Sequence, residues 1–340
     1  MPAPNRILIR LPNWLGDLLM ARPLLHALRG ALPSATLAGV APAALLDLLE
    51  ADGSLDERHA WPREAGARRR VVAALVSFDA DVALVLPPSF SSAWLAWQSR
   101  AKARVGFAHE HRGLLLTRTI RRYDRGDRHL ADEYVDLARE WVGEPGESIG
   151  TAPPLGLSAA TRAAGRRVAE AVGASPRAFA VMAPGASYGP AKRWPAERFV
   201  EVGRRLSAVG LRVLACGTRE ESGVCESVAR EIGSSARSLA GGTSLPELAG
   251  LCAEARIAVC NDSGLAHLCA ALAVPTVAVF GSTSSAWTAP QGRAVRVVQH
   301  APVCSPCFRR DCSIGMPCLT GVTAGRVWRA CEGLLEASAA

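Results

Sequence analysis

Short runs of hydrophobic residues alternate along the chain with longer stretches in which hydrophobic residues recur at helical spacing. In the first half of the chain, this pattern predicts strands over residues 6–11 and 81–86, and a helix over residues 17–32. Two consecutive prolines end the second of these strands. Strands that alternate with helices are typical of a parallel sheet covered by helices on both faces.

The same alternation returns after residue 177. Ser244 and Glu247 have the spacing of a capping box, in which two side chains satisfy backbone amides at the start of a helix. A proline near the start and Gly210 after the end favour a helix over residues 195–209. The remaining hydrophobic runs predict four strands over residues 179–183, 211–216, 256–261 and 276–280, and one helix over residues 265–273.

Residues 143–177 interrupt this alternation with glycines and prolines, which is typical of the region between two domains. A chain of 340 residues also has the length of two domains. We therefore predict an α/β protein of two doubly wound, Rossmann-like domains that face a central cleft. We place the domains at residues 1–160 and 178–340, with the linker region at residues 161–177.

Composition and charge narrow the class of protein. Hydrophobic residues make up 49% of the chain and charged residues 21%, which excludes a largely disordered or fibrous protein. The formal net charge of +8 indicates an anionic partner, such as nucleic acid, an anionic membrane face or a phosphorylated substrate. The N-terminal residues do not resemble a secretory signal, and the hydrophobic window at residues 264–281 has the pattern of a buried helix and strand. We expect a cytoplasmic protein.

Ligands of open α/β sheets bind beyond the carboxyl ends of the strands, and four polar or glycine-rich segments fall at such positions. The first is residues 12–17, where Gly16 permits a tight turn. Asp17 stands where a helix begins. It is either the N-cap of that helix or a general base that faces the cleft.

The second segment, residues 184–195, contains Ser187, Tyr188 and Lys192 between glycines and prolines. Hydroxyl groups, free backbone N–H groups and a lysine suit the binding of a diphosphate, and the lysine can neutralise a leaving group. The alternative interpretation is a solvated surface loop.

The third segment, residues 261–267, joins a strand to a helix. Asp262 or Ser263 would cap that helix, whose N-terminus attracts phosphate, and His267 lies one turn further on. A single histidine is more often structural, but this one stands beside a predicted anion site. The fourth segment, residues 281–285, is rich in hydroxyl groups and is a weaker candidate.

Two common motifs are absent from the sequence. There is no Walker-type lysine loop and no G-x-G-x-x-G fingerprint after the first strand. Their absence argues against a P-loop nucleotide hydrolase and a nicotinamide dehydrogenase.

Four of the ten cysteines lie close together near the C-terminus, at Cys304, Cys307, Cys312 and Cys318. Thiolates at this spacing can hold a structural zinc ion, although the spacing is looser than that of paired C-x2-C knuckles. Reduced structural cysteines and a redox-labile loop are the alternatives. We expect the other six cysteines to be buried small hydrophobic residues.

Basic residues cluster at residues 68–70, 100–104 and 121–122, where they could meet an anionic acceptor at a membrane surface. Trp94 and Trp97 lie near this region and either pack in the interior or touch lipid. Few aromatic residues accompany the basic ones, so we expect no nucleic-acid partner.

Four segments of the chain resemble the ADP-heptose:lipopolysaccharide heptosyltransferases of glycosyltransferase family 9, and within that family the heptosyltransferase II group. The segments are residues 12–17, 85–90, 184–186 together with 188–195, and 261–267. The resemblance implies a GT-B architecture, in which the first domain binds the acceptor and the second binds the donor. It implies an inverting transfer of L-glycero-D-manno-heptose from ADP-L-glycero-β-D-manno-heptose to the inner core of lipopolysaccharide, with no cofactor required for catalysis.

The resemblance also implies roles for individual residues. Asp17 would take the proton of the attacking acceptor hydroxyl, and Lys192 would neutralise the departing ADP. Ser187 and Tyr188 would hold the diphosphate with Lys192, and Glu221 would meet the ribose. The residues expected against the heptose and the phosphates are Asp262, Ser263, Gly264 and His267.

The sequence departs from the family pattern in two places. The position of Ser187 is often acidic in relatives, and residues 281–290 form a looser version of a proline-rich loop. The resemblance implies peripheral contact with the anionic face of the inner membrane. Three alternatives stay open: a family 9 enzyme with another sugar or acceptor, a GT-B-type sugar-nucleotide epimerase or hydrolase, and a non-catalytic module that binds nucleic acid or depends on zinc.

Overall fold

The protein is described by a computed structural model that covers residues 3–109, 111–143 and 152–338. The chain divides into two compact units, Met1–Gly156 and Leu157–Ala340. Part of the glycine- and proline-rich region that led us to predict a linker, residues 144–151, lies outside the described residues.

The first unit is a parallel sheet flanked by helices. Its strands are β1 (Arg6–Arg10), β2 (Thr36–Ala41), β3 (Glu57–Ala60), β4 (Val82–Val85), β5 (Ala103–Phe107) and β6 (Arg118–Ile120). Its helices are α1 (Leu15–Ala31), α2 (Ala43–Leu48), α3 (Ala65–Ser77), α4 (Phe90–Gln98), α5 (Leu130–Asp136) and α6 (Arg139–Val142). In the described residues the strand order is β3-β2-β1-β4-β5-β6. The order of strands along the chain runs outward on either side of the β1–β4 pair, so the topological switch point lies between these two strands. Ligands of doubly wound sheets bind at such a switch point.

The second unit repeats this topology. Its strands are β7 (Phe179–Ala183), β8 (Arg212–Ala215), β9 (Ala236–Ser238), β10 (Ile257–Asn261), β11 (Thr276–Phe280) and β12 (Val295–Gln299). Its helices are α7 (Ala159–Ala171), α8 (Ala196–Ala208), α9 (Ser222–Ile232), α10 (Leu245–Ala253), α11 (Gly264–Ala271), α12 (Ser285–Thr288), α13 (Pro317–Thr320) and α14 (Ala324–Ala337). The strand order in the described residues is β12-β11-β10-β7-β8-β9, so the switch point lies between β7 and β10.

The central strands form the core of the second unit. Every residue of β7, β10 and β11 is buried, as expected of parallel strands with helices on both faces. Trp194 packs edge-on against Phe199 at 4.9 Å between ring centroids, and its indole N–H donates to the backbone oxygen of Val322. Trp194 is therefore a core residue whose polar atom is satisfied.

Most predicted elements are confirmed, with bounds that agree to within two residues. β7 and β11 match the predicted ranges, and the capping box of Ser244 and Glu247 opens α10. The hydrophobic window at residues 264–281 contains α11 and β11, both buried. Among the described residues, no helix combines the length and the hydrophobicity needed to cross a bilayer.

Helix α7 takes up most of the region predicted as a linker and packs against α10 within the second unit. The two helices approach so closely that a Cβ atom built on Gly165 would lie 2.0 Å from the carbonyl carbon of Gly250. Glycine at both positions permits this backbone contact, which a side chain would prevent.

Candidate functional site

The loops that follow β7 and β10 meet at the switch point of the second unit. Asn261, the last residue of β10, is fully buried, and its amide nitrogen donates to the backbone oxygens of Pro184 (2.8 Å) and Gly185 (3.2 Å). Its amide oxygen accepts from the backbone N–H of Trp194 at 3.0 Å. One side chain thus holds both ends of the 184–195 loop, so the loop's position depends on β10.

Lys192 and Asp262 form an ion pair at this point. The ammonium nitrogen lies 2.6 Å from a carboxylate oxygen, and the side chains are 14% and 4% exposed. Thr283, from the loop after β11, donates its hydroxyl to the same carboxylate at 2.5 Å. Lys192 also lies 4.9 Å from the ring centroid of Tyr188. Three loops therefore meet around a lysine whose charge is balanced by a buried carboxylate.

Two buried hydroxyl groups belong to the residues that adjoin Asp262 and Thr283 in the sequence. Ser263 is the N-cap of α11, but its hydroxyl makes no capping hydrogen bond. The hydroxyls of Ser263 and Ser282 are both buried without a hydrogen-bond partner in the part of the chain that the structure describes. Such orphaned groups are rare and require an explanation. Ser263 lies at the N-terminus of α11 and Ser282 in the loop after β11. A helix N-terminus with a free hydroxyl is a favourable place for an anion, so we refer to this region as the anion site.

Glu221 lies against the same loop. Its carboxylate accepts from the backbone N–H of Thr218 at 2.8 Å and from the hydroxyl of Ser187 at 3.4 Å. A Cβ atom built on Gly185 would lie 2.4 Å from the carboxyl carbon of Glu221. Glu221 therefore touches the 184–195 loop. Its contact with the ribose of the donor stays a prediction.

The structure therefore gathers most of the residues predicted for the second domain around one switch point. His267 is buried on α11, one turn beyond Ser263. Asn261 and Ser282 belonged to segments that the sequence had singled out, but neither had been given a role. The signal that could have identified Asn261 is a polar residue at the end of an otherwise hydrophobic strand.

Asp17 lies in the first turn of α1, after the carboxyl end of β1. The N-cap of α1 is Trp14, so the interpretation of Asp17 as the N-cap is wrong. Burial raises the pKa of Tyr134 on α5 well above its usual value, and the charge of Asp17 adds to that shift. Helices α1 and α5, which carry these two residues, pack against each other.

A cavity of about 500 Å³ opens at the switch point of the first unit. Its lining includes Arg10, Arg68 and Arg69 with Trp61 and Trp94, and none of its described lining residues is acidic. Arg10 is buried, and burial lowers its pKa to about 10. Arg68 lies over the ring of Trp61 at 5.6 Å. Arginines and indole rings without acidic neighbours suit an anionic, sugar-like ligand.

The four C-terminal cysteines differ in exposure. Cys304 and Cys307 are exposed, Cys312 is half-buried and Cys318 is buried. Burial raises the pKa of Cys318, and its three neighbours in the cluster contribute to the shift. In the described ranges, however, no group of three or more histidine, cysteine or acidic side chains is placed to hold a metal ion. The zinc site gains no support from this geometry and stays a prediction. The other six cysteines are buried, as predicted.

Comparison with known proteins decides the family. A sequence model of glycosyltransferase family 9 (heptosyltransferase) matches residues 68–316, most of the chain. The chain belongs to glycosyltransferase family 9. This family 9 chain is 31% identical over 307 residues to lipopolysaccharide heptosyltransferase 2 of Salmonella typhimurium, with 86% of the chain and 88% of the relative covered. It is 30% identical over 321 residues to lipopolysaccharide heptosyltransferase 2 of Escherichia coli K12, with the same coverage.

Solved structures agree with this assignment. The fold matches that of the E. coli ADP-heptose lipopolysaccharide heptosyltransferase II with a TM-score of 0.84 and 28% identity, covering 98% of this chain and 100% of the other. An E. coli heptosyltransferase solved with ADP shares the fold at a TM-score of 0.74 and 20% identity, with 97% and 99% covered. The predicted GT-B-type class of two doubly wound α/β units and the prediction of a glycosyltransferase are both confirmed.

Proposed function

We propose that this family 9 glycosyltransferase transfers L-glycero-D-manno-heptose from ADP-L-glycero-β-D-manno-heptose to the inner core of lipopolysaccharide, with inversion at the anomeric carbon. The proposal rests above all on the anion site at the second switch point, where Lys192 pairs with Asp262 and the unpartnered hydroxyl of Ser263 lies at the N-terminus of α11. The relatives named heptosyltransferase 2, which align with 86% of the chain, support the choice of sugar and acceptor.

In the proposed reaction, an acceptor hydroxyl attacks the anomeric carbon of the heptose while the bond from that carbon to the diphosphate oxygen breaks. Asp17 takes the hydroxyl proton, and ADP leaves with the electron pair of the broken bond. Negative charge grows on the diphosphate during departure, where Lys192 and the N-terminus of α11 stabilise it. The reaction requires both Asp17 and Lys192 to reach one donor–acceptor pair.

We propose the other donor contacts that the resemblance to the family implies. Ser187 and Tyr188 lie on the Lys192 loop and would bind the diphosphate with it. Glu221 would receive the ribose hydroxyls. The residues assigned to the heptose and the phosphates are Asp262, Ser263, Gly264 and His267, at the end of β10 and the start of α11.

We assign the acceptor to the first unit. The arginine- and tryptophan-lined cavity at the first switch point has the size of typical ligand sites and the charge that an acidic inner-core sugar requires. Neutralising Arg68 and Arg69 together should raise the KM for the acceptor while ADP affinity stays unchanged. Unchanged acceptor kinetics in that variant would exclude the cavity from acceptor binding.

The same unit carries an aromatic surface suited to a membrane. Trp94 and Trp97 on α4 are 42% and 47% exposed and stack at 4.7 Å. Indole rings favour the headgroup region of a bilayer, and basic residues at 68–70 favour anionic lipid. We propose peripheral contact with the cytoplasmic face of the inner membrane. Trp94→Ser should reduce co-sedimentation with phosphatidylglycerol vesicles, whereas binding equal to that of the parent would refute this surface.

The decisive experiment incubates the protein with ADP-heptose and a heptose-primed Kdo-lipid A acceptor. Mass spectrometry should detect one added heptose, and NMR of the product should give the anomeric configuration opposite to that of the donor. A control without acceptor tests the epimerase or hydrolase alternative, which would consume or convert ADP-heptose on its own. Loss of donor without transfer would overturn the proposal in favour of that alternative.

Two variants test the assigned roles. Asp17→Asn should abolish transfer and leave ADP affinity within about twofold of the parent, because the change removes the proton acceptor and keeps the shape. Lys192→Ala should weaken both ADP binding and transfer, because the diphosphate is charged before and during departure. Loss of ADP binding in Asp17→Asn would indicate a structural role for Asp17 instead.

A further inference from the structure

The loop between β12 and α13, residues 300–316, is hydrogen-bonded to two of the three loops of the anion site. Its Phe308 carbonyl accepts the hydroxyl of Tyr188 at 2.6 Å. Its Arg310 carbonyl accepts the backbone N–H of Ala191 at 3.0 Å. The backbone N–H of Phe308 donates in turn to the carbonyl of Ser282 at 2.7 Å. This loop, which carries three of the four clustered cysteines, thus connects the 184–195 loop to the loop after β11.

The contact with the 184–195 loop also includes a close approach of the two backbones. Gly189 has a φ of +153°, and a Cβ atom built there would lie 2.6 Å from the carbonyl oxygen of Arg310. Glycine is therefore required for the loop at 300–316 to approach this closely. The approach places the side chain of Arg310 beside Tyr188, with its guanidinium carbon 5.5 Å from the ring centroid.

The charges around Tyr188 show what this guanidinium contributes. Lys192 lies 4.9 Å from the same ring, but its charge is balanced by Asp262 at 2.6 Å. Glu221 adds a further carboxylate through its contact with Ser187. The diphosphate of a nucleotide sugar carries a negative charge on each phosphate, so the Lys192–Asp262 pair alone leaves it without a net positive counter-charge. Within the described residues, Arg310 forms no ion pair with a carboxylate.

We propose that Arg310 binds the diphosphate of the nucleotide donor and that the loop at 300–316 positions it for this contact. A guanidinium presents two parallel N–H donors that match the oxygens of a phosphate, which a lysine ammonium does not. The inference rests on the proposed donor and adds to it a residue that lies in none of the four short segments at 12–17, 85–90, 184–195 and 261–267.

The test compares Arg310→Ala, Arg310→Lys and Arg309→Ala with the parent by titration calorimetry, using ADP and adenosine as probes. Arg309 is the matched control, because it is the adjacent exposed arginine of the same loop. Arg310→Ala should weaken ADP binding about tenfold or more, the usual effect of losing a charge-assisted hydrogen bond. The affinity of Arg310→Ala for adenosine, which has no phosphate, should stay within about twofold of the parent's affinity. Arg310→Lys should recover part of the loss, and Arg309→Ala should bind ADP like the parent.

The outcomes separate this inference from the proposed function. Equal losses for ADP and adenosine would mean that Arg310 supports the fold of the loop and would overturn the phosphate contact. Parent-like ADP binding in Arg310→Ala, with a parent that binds ADP, would refute the inference and leave the proposed donor intact. A parent that does not bind ADP would refute both.

Discussion

Asn261→Asp is expected to destabilise the second unit and to weaken donor binding together. Asparagine and aspartate have nearly the same shape, but the variant loses the amide N–H groups that donate to the carbonyls of Pro184 and Gly185. It keeps an oxygen that can accept from Trp194. The change therefore affects the two bonds at the start of the 184–195 loop and preserves the one at its end.

The magnitude follows from the burial of these groups. Asn261 is fully buried, and a buried polar group that loses its partner costs about 1–3 kcal/mol. In the variant, the carbonyls of Pro184 and Gly185 lose their donor and face the new carboxylate. This should lower the unfolding free energy by about 2–5 kcal/mol in total. For a domain of this size, that corresponds to a fall in Tm of about 5–15 °C. Because the start of the loop is released, ADP affinity measured well below the Tm should fall about tenfold or more.

Thr276→Val is the matched control. Thr276 is fully buried in the same unit and donates its hydroxyl to the carbonyl of Val274 at 2.7 Å. It is the first residue of β11 and therefore lies at the N-terminal end of the strands, opposite the loops of the anion site. This variant should lower the unfolding free energy by about 1 kcal/mol and leave ADP affinity unchanged. Thermal unfolding and titration calorimetry measure both quantities. Parent-like ADP affinity in a destabilised Asn261→Asp protein would refute the idea that this amide positions the loop.

Three further predictions concern other parts of the chain. Gly185→Ala should weaken ADP binding in calorimetry, because the new Cβ atom would lie 2.4 Å from the Glu221 carboxyl carbon; parent-like binding would show that the loop yields at no cost. Burial raises the pKa of Asp52, but hydrogen bonds from a histidine and an arginine outweigh it and hold the pKa at about 2. About 2 kcal/mol of unfolding free energy should therefore be lost as the pH falls from about 4 to 2. In urea unfolding, the free energy of Asp52→Asn should change less with pH over this range than that of the parent. Gly165→Ala should lower the Tm by several degrees, because its Cβ atom would meet the backbone of Gly250 at 2.0 Å, and an unchanged Tm would contradict that contact.

The sequence alone determined the class of fold and the positions of the loops that carry Lys192 and Asp262. Strands at 179–183 and 276–280 were predicted with their observed bounds, because buried parallel strands are continuous hydrophobic runs that glycine, proline and polar residues interrupt. The capping box of α10 was equally local, since both of its side chains lie within one turn. Short edge strands such as β9, with mixed polar residues, carry no such pattern, and their assignment depends on the neighbouring strand.

Tertiary structure decided which of the predicted side chains act together. Lys192 and Asp262 are far apart in sequence and form a pair because β7 and β10 are neighbours in the sheet. Tertiary structure likewise brought Arg310 beside Tyr188, through a backbone hydrogen bond between loops more than 100 residues apart, which leaves no local motif. Local patterns fix where strands and helices begin and end, whereas contacts between distant loops depend on the order in which the strands pair.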